Sequence, residues 1–436
     1  MGTKPRGADR LRSLLRLAAH ERSMFVAVSL GVNLVLVGRS YVTMQVLDYR
    51  DLGLAGVLQS IVLLLGVMQF GFLNGGYRLL CSAQDAEARR INDLVFSFIG
   101  TLALAAVVIT LAATPLLRSP DVILVTWLGV VGGIATLTRT WLMNHMIARG
   151  ELSRVNRVNL VSAAGSVAML VFIPVAPLTA CLAAVVAQPI IFVLGAIVAD
   201  RSMIPGRFEF SRPLVRDVIR AGFVMFLVGV FLQVNFQFER WYVTGLLGLE
   251  AMGHLYLATL FITLFQMVPV SLDQIFLPPI VRSEAAGDEA AVRGALRQFF
   301  LVELAYCIAA GAAVGLLAEP TLGAILPQYV GDLRYVYIVL PGLLLITLSA
   351  PFSIMFNVLI RYRFYFAAYG AGTLLTGLVL LAGAWAGGAL NLDHVMLLRS
   401  VVYGLMAVAI VAGFHAITAD RPGLRFSIAR PQHPVG

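Results

Sequence analysis

Long apolar runs separated by short polar turns fill the chain from about residue 24 to residue 417. They lie near 24–47, 54–80, 92–117, 121–148, 158–176 and 178–200, then near 219–244, 251–279, 297–317, 333–360, 364–386 and 394–417. Each is long enough to cross roughly 30 Å of hydrocarbon as a helix. None shows the period-2 alternation of a transmembrane β-strand, which leaves helices as the only spanning solution. The pattern predicts an all-α, polytopic membrane protein with about twelve transmembrane helices.

The longest polar stretch inside the chain, about 200–220, runs from Asp200-Arg201 through Pro205-Gly206 to Ser211-Arg212-Pro213 and carries five arginines. It divides the apolar runs into six and six. An even number per half gives both halves one orientation, so the expectation is two parallel six-helix lobes around a central cavity. The expected segments are a basic cytoplasmic stretch 1–23, an N-lobe 24–200, a cytoplasmic loop 201–218, a C-lobe 219–417 and a cytoplasmic tail 418–436. In the first of these, Leu11, Leu14, Leu15 and Ala18 share a helical face away from Arg10, Arg12 and Arg16, the pattern of a short interfacial helix. The apolar run that follows is too long for a signal-peptide core and precedes no small-residue cleavage site. Two echoes fit an internal repeat. Arg39-Ser40-Tyr41-Val42-Thr43 near the outer end of the first span matches Arg240-Trp241-Tyr242-Val243-Thr244 near the outer end of the seventh, and Asn144 near the inner end of the fourth matches Asn357 in the tenth.

Composition agrees with this class: 59% of the 436 residues are hydrophobic and 13% charged. Charge then orients the chain. Of 32 basic residues, 24 fall on the side that holds both termini, three (Arg50, Arg118, Arg334) on the other, and five (Arg39, Arg78, Arg139, Arg240, Arg399) inside spans. That asymmetry places both termini in the cytoplasm. The net charge of +9 is a topology signal and a match to anionic lipid headgroups, not a sign of nucleic acid. Cys81, Cys181 and Cys307 have no metal-ligand spacing and receive no role.

Several stretches carry a likeness. Arg220-Ala221-Gly222-Phe223 opens the seventh run, and Phe238-Glu239-Arg240-Trp241 stands near its end. Leu247-Gly248-Leu249-Glu250-Ala251-Met252-Gly253-His254-Leu255-Tyr256 follows, with Gln69-Phe70-Gly71-Phe72 before Tyr77-Arg78 earlier and Pro327-Gln328-Tyr329 later. In these residues the chain resembles polysaccharide (O-antigen type) flippases of the multidrug/oligosaccharidyl-lipid/polysaccharide exporter superfamily. The likeness covers nearly the whole chain through loose motifs, and it departs from the family in its few prolines and lysines at the turns. It implies a bacterial inner-membrane, multi-pass transporter that moves a polyprenyl-diphosphate-linked oligosaccharide by alternating access. A glycan polymerase is an implied partner, beside the lipid-linked glycan and membrane lipids.

The charges within the spans are where chemistry is expected. An arginine at mid-bilayer costs on the order of 2.5–3.5 kcal/mol, so such residues face the bundle or water. Arg139 shares a stripe with Thr136, Thr140 and Asn144 and reads as cavity-lining, with an interhelical bond as the competing role. Arg78, one turn after Asn74, either snorkels to headgroups or meets substrate. Arg39 and Arg240 hold matching outer positions, as a substrate pair or as interfacial anchors. Arg399 reads as snorkelling. On the seventh span Gln233, Gln237 and Arg240 share one face, and Asn235 and Glu239 another; Glu239 reads first as a neutralising neighbour of Arg240. Five arginines outnumber three intramembrane acids, Glu239, Asp273 and Glu303, which suits an anionic, phosphate-bearing substrate.

No phosphate-binding loop for a nucleotide is present, so a proton or sodium gradient is the expected energy source, with Asp273, Glu303 and Glu239 as coupling carboxylates and no bound cofactor or metal. The leading expectation is a lipid-linked oligosaccharide flippase with no catalytic residues. The alternatives are a drug or cation exporter of the same superfamily, a glycan polymerase or ligase (opposed by the lack of a large external loop), and a scaffold or channel.

Overall fold

The computed structural model describes residues 21–81, 83–117, 119–386, 390–421 and 424. The expected interfacial helix in 1–23, Arg118 and most of the 418–436 tail lie outside them. Fourteen α-helices make up nearly all of the described chain, and no strand occurs among the described residues. The first seven are α1 (Glu21–Val46), α2 (Tyr49–Val67), α3 (Phe72–Leu80), α4 (Asp85–Ala113), α5 (Pro120–Ala148), α6 (Leu152–Ala168) and α7 (Pro177–Ala199). The others are α8 (Arg212–Tyr242), α9 (Leu249–Ala285), α10 (Glu289–Ile325), α11 (Leu333–Leu348), α12 (Ala350–Val358), α13 (Tyr362–Trp385) and α14 (Leu392–Ile417).

Every predicted apolar run falls on helix. Eleven helices are long and apolar enough to cross a membrane, or twelve when Arg212–Val224 and Gly229–Leu247, the two arms of a bent helix, count as one span. The chain is a multi-pass helical membrane protein. Helix starts follow local chemistry. Asp48 accepts the Asp51 amide at 2.8 Å, Asn391 the His394 amide at 2.9 Å and Asp288 the Ala291 amide at 2.9 Å. Prolines open α5 and α7, where a missing N–H costs nothing.

Two predicted spans are not continuous. The run 54–80 breaks between α2 and α3, where Phe70 and Gly71 take φ values of 47° and 84°. The run 333–360 breaks at Ser349, between α11 and α12, where Pro351 enters the first turn of the new helix. Hydropathy does not register either break, because a single polar residue at the joint, Gln69 or Ser349, leaves the surrounding window apolar.

The chain divides into two compact units, Met1–Gly229 and Val230–Gly436. The division falls inside α8 and not in the 201–218 loop. Helix packing accounts for this. A Cβ on Gly75 would lie 1.9 Å from the Val218 carbonyl oxygen, and one on Gly222 would lie 2.2 Å from that of Gly71, so the first arm of α8 crosses α3 backbone to backbone. Val218 is itself buried in the core that Trp141, Phe72, Ile91, Leu94 and Leu137 build around this crossing.

The segment 200–211 is also fastened to the first unit. The Asn92 side-chain amide accepts from the Trp141 indole at 2.9 Å and donates to the Met203 carbonyl at 3.1 Å. Asp93 accepts the Gly206 amide and Ser97 the Glu209 amide, each at 2.9 Å. Arg154 pairs with Asp200 at 3.2 Å. The Ser202 hydroxyl and backbone amide hold the Asp200 carboxyl below the usual carboxylate range, with Arg154 and Arg149 adding to this against the opposing effect of burial.

The second unit has its own tight crossing, where a Cβ on Gly342 of α11 would lie 2.2 Å from the Ser400 carbonyl of α14. The Gly342 amide donates to the Ser400 hydroxyl there, at 3.0 Å. Its aromatic core includes Phe352 and Phe414, with ring centroids 5.1 Å apart.

Candidate functional site

In the first unit, α6 supplies a polar face the sequence reading passed over. Asn156, Asn159, Ser162 and Ser166 are all buried, spaced three, three and four residues apart. Arg39 of α1 donates to the Ser166 hydroxyl at 2.8 Å and to the Ala184 carbonyl of α7 at 3.1 Å. Arg139 of α5 donates to the Asn159 amide oxygen at 3.2 Å, and its guanidinium lies 5.3 Å from the centre of the Phe192 ring. Seven residues separate the two anchor points on α6, roughly 10 Å of helix. The Arg139 Nε, the Asn156 Oδ1 and the Gln188 Nε2 are buried without hydrogen-bond partners.

Other expected members behave differently. The Thr136 and Thr140 hydroxyls donate to the Gly132 and Thr136 carbonyls at 2.7 and 2.8 Å, so their protons are spent on their own helix. Asn74 is half-buried on α3 and Arg78 is exposed at its end. Neither residue takes part in the Arg39 and Arg139 bonds described above.

In the second unit, Arg399 does not snorkel. It is 4% exposed and donates through Nε to the Glu239 carboxylate at 2.6 Å, with a second, shorter contact from Nη2. Glu239 is wholly buried, so it pairs with α14 before it neutralises Arg240. The correction has a simple cause: partners 160 residues apart in the chain meet at one depth, which periodicity within a single helix cannot reveal. Arg399 also lies over the Phe236 ring, 5.3 Å from its centre. Arg240 is 8% exposed and its Nη1 has no hydrogen-bond partner, while Gln237 is buried with neither amide atom bonded. Gln233 is half-buried. Both polar faces of α8 are therefore inside the second unit, and the Asn235–Glu239 face is the one tied to a neighbouring helix.

Glu303 of α10 is wholly buried, and neither carboxylate oxygen has a hydrogen-bond partner. Asp273 of α9 is half-buried and lies within electrostatic reach of Glu303, Tyr365 and Tyr369. The Tyr365 and Tyr369 rings stack with centroids 4.4 Å apart, and the Tyr306 hydroxyl donates to the Phe265 carbonyl at 2.6 Å. Tyr369 is electrostatically coupled to Tyr403, which in turn neighbours Arg399 and Glu239. Glu239, Tyr403, Tyr369, Tyr365, Asp273 and Glu303 thus each lie within electrostatic range of the next. Tyr365 and Tyr369 stand four residues apart, a helical spacing visible in the sequence and left unused in its reading. Among the described residues, no cluster of three or more His, Cys, Asp or Glu could hold a metal ion.

The fold defines a class of polytopic helical bundle, and solved proteins with this fold match almost the whole chain. An inward-facing multidrug-resistance MATE family transporter aligns with a TM-score of 0.72 at 14% identity, over 89% of this chain and 95% of its own. The lipid II flippase MurJ in an inward closed conformation aligns with a TM-score of 0.66 at 12% identity, over 89% and 87%. A MATE structure in a bent conformation gives a TM-score of 0.60 at 14% identity, over 97% and 100%. No family model matches the sequence, and no curated protein matches it.

Proposed function

We propose that the protein is a flippase for a lipid-linked, phosphate-bearing glycan, a polyprenyl-diphosphate oligosaccharide used in surface polysaccharide synthesis at a bacterial inner membrane. The observation that carries this reading is Arg139. It sits within a span, its recorded partners are a neutral amide and an aromatic ring, and its Nε–H donor is unused. A buried guanidinium with a spare donor is suited to a phosphate oxygen. Arg39, bonded on the same face of α6, and Arg240, with its own unpartnered Nη1, extend the cationic lining in each unit. The MurJ likeness supports a lipid-linked substrate. Transport draws on a proton or sodium gradient, with Asp273 and Glu303 taking up the ion in turn, because a buried carboxyl without donors, as at Glu303, beside a second carboxyl is stabilised by either.

A second reading rests on that same carboxyl pair. Asp273 and Glu303 beside Tyr365 and Tyr369 make an acidic, aromatic environment of the kind a cationic drug would use. The two readings part in one experiment: proteoliposomes are given a labelled polyprenyl-diphosphate oligosaccharide or a lipophilic cation, with and without a pH gradient. Glycolipid transport that Arg139→Ala abolishes supports the flippase. Cation transport that Arg139→Ala spares replaces it with the exporter.

A further inference from the structure

The first arm of α8 carries an exposed arginine row beside an apolar row, of which Val215 and Ile219 also pack against the Trp141 core and Phe223 is exposed. Arg212, Arg216 and Arg220 recur every fourth residue and are all exposed. Among the described residues none of them is in an ion pair, although Asp217 stands on the same turns. Beside them run Val215, Ile219 and Phe223, also four residues apart, and the two rows line a cleft of about 680 Å³. Phe210 and Val224 complete its lining.

Three further facts bear on what fits there. Arg212, Arg216 and Arg220 stand on one face of the arm, about 6 Å apart along the axis, and the apolar row runs alongside them and one turn further, to Phe223. Phe208 and Phe210 stack with centroids 5.7 Å apart and are 74% and 46% exposed, which is unfavourable in water and ordinary at the headgroup boundary of a bilayer. The loop bearing them is held in place through the Gly206 and Glu209 amides, so these rings are presented by a fixed backbone.

We propose that this cleft is a binding site for an anionic phospholipid of the adjacent leaflet. The headgroup phosphate lies between the guanidinium groups, and an acyl chain lies along Val215, Ile219 and Phe223. Charge complementarity and the adjoining apolar row select this occupant: a free phosphate would leave the row bare, and a zwitterionic lipid would leave the arginines uncompensated. The site is independent of what the protein transports.

The test is lipid binding by the purified, delipidated full chain, titrated with phosphatidylglycerol or phosphatidylcholine and read by native mass spectrometry. Phosphatidylglycerol should bind more tightly, and each Arg→Gln change at 212, 216 or 220 should weaken it about fivefold. Arg361→Gln with Arg363→Gln removes two arginines elsewhere and should leave it unchanged. Val224→Trp fills the cleft with all three arginines in place, and should displace the lipid even if an Arg→Gln variant fails to insert. Equal affinity for the two lipids, or wild-type phosphatidylglycerol binding in Val224→Trp, overturns the proposal.

Discussion

Replacing Arg399 by Met leaves the Glu239 carboxylate buried and without the two donors that now reach its Oε2 atom, while its Oε1 is already without a partner. Glu239 is 0% exposed and Arg399 4%, so water cannot take over either role. Removing one member of such a pair costs about 3–5 kcal/mol, most of it the penalty of stranding the other charge. For a unit of this size each kcal/mol moves the melting temperature by roughly 2–4 °C, so Arg399→Met should melt about 10 °C below wild type. Glu239→Gln strands the guanidinium in turn and should cost a similar amount. The double variant strands neither and should recover to within about 1 kcal/mol of wild type. The assay is thermal unfolding of the four proteins in one detergent, followed by intrinsic fluorescence. Additive losses in the double variant would refute the pairing, as would a melting temperature for Arg399→Met equal to that of wild type.

Three further outcomes follow from the geometry. Gly222→Leu should cost at least 1–3 kcal/mol by pushing α8 off α3, since even a Cβ would lie 2.2 Å from backbone; equal expression and melting temperature in the variant would contradict the crossing. The depressed Asp200 carboxyl contributes stability that is present above its unfolded value near 3.9 and is lost as pH falls through the lower folded value. Hydrogen-exchange protection of the Ser202 amide, which donates to Asp200 at 2.9 Å, corrected for intrinsic rate, should hold from pH 7 to about 4 and fall only below that; loss of protection between pH 7 and 5 would rule out Asp200 as the anchor. Glu303→Gln should leave glycolipid binding intact and remove the response of transport to a pH gradient, and an unchanged response would take Glu303 out of coupling.

The spans were legible in the sequence because bilayer thickness imposes a length and an apolar character on every one of them. Breaks such as Phe70–Gly71 were not, because a change in φ leaves hydropathy untouched. Arg139 stood out as a charge on a polar stripe, and the structure gives it an interhelical partner in Asn159. Asn159 and Ser166 were overlooked because uncharged polar residues are common in transmembrane helices and acquire meaning only from what faces them. Arg399 was misread for a related reason: a charge near a helix end looks alike from within that helix whether it reaches for headgroups or for a carboxylate on another.

The bond between Glu239 and Arg399 also has a bearing on how the chain is made. Glu239 leaves the ribosome 160 residues before its partner, within a helix that must enter the membrane long before α14 exists. Until α14 arrives, that carboxylate has no arginine from it, and a chain truncated before α14 would keep it so. A single interaction thereby ties an early helix to a late one: burial of the α8 acid Glu239 against a cation is finished only when α14 docks beside it.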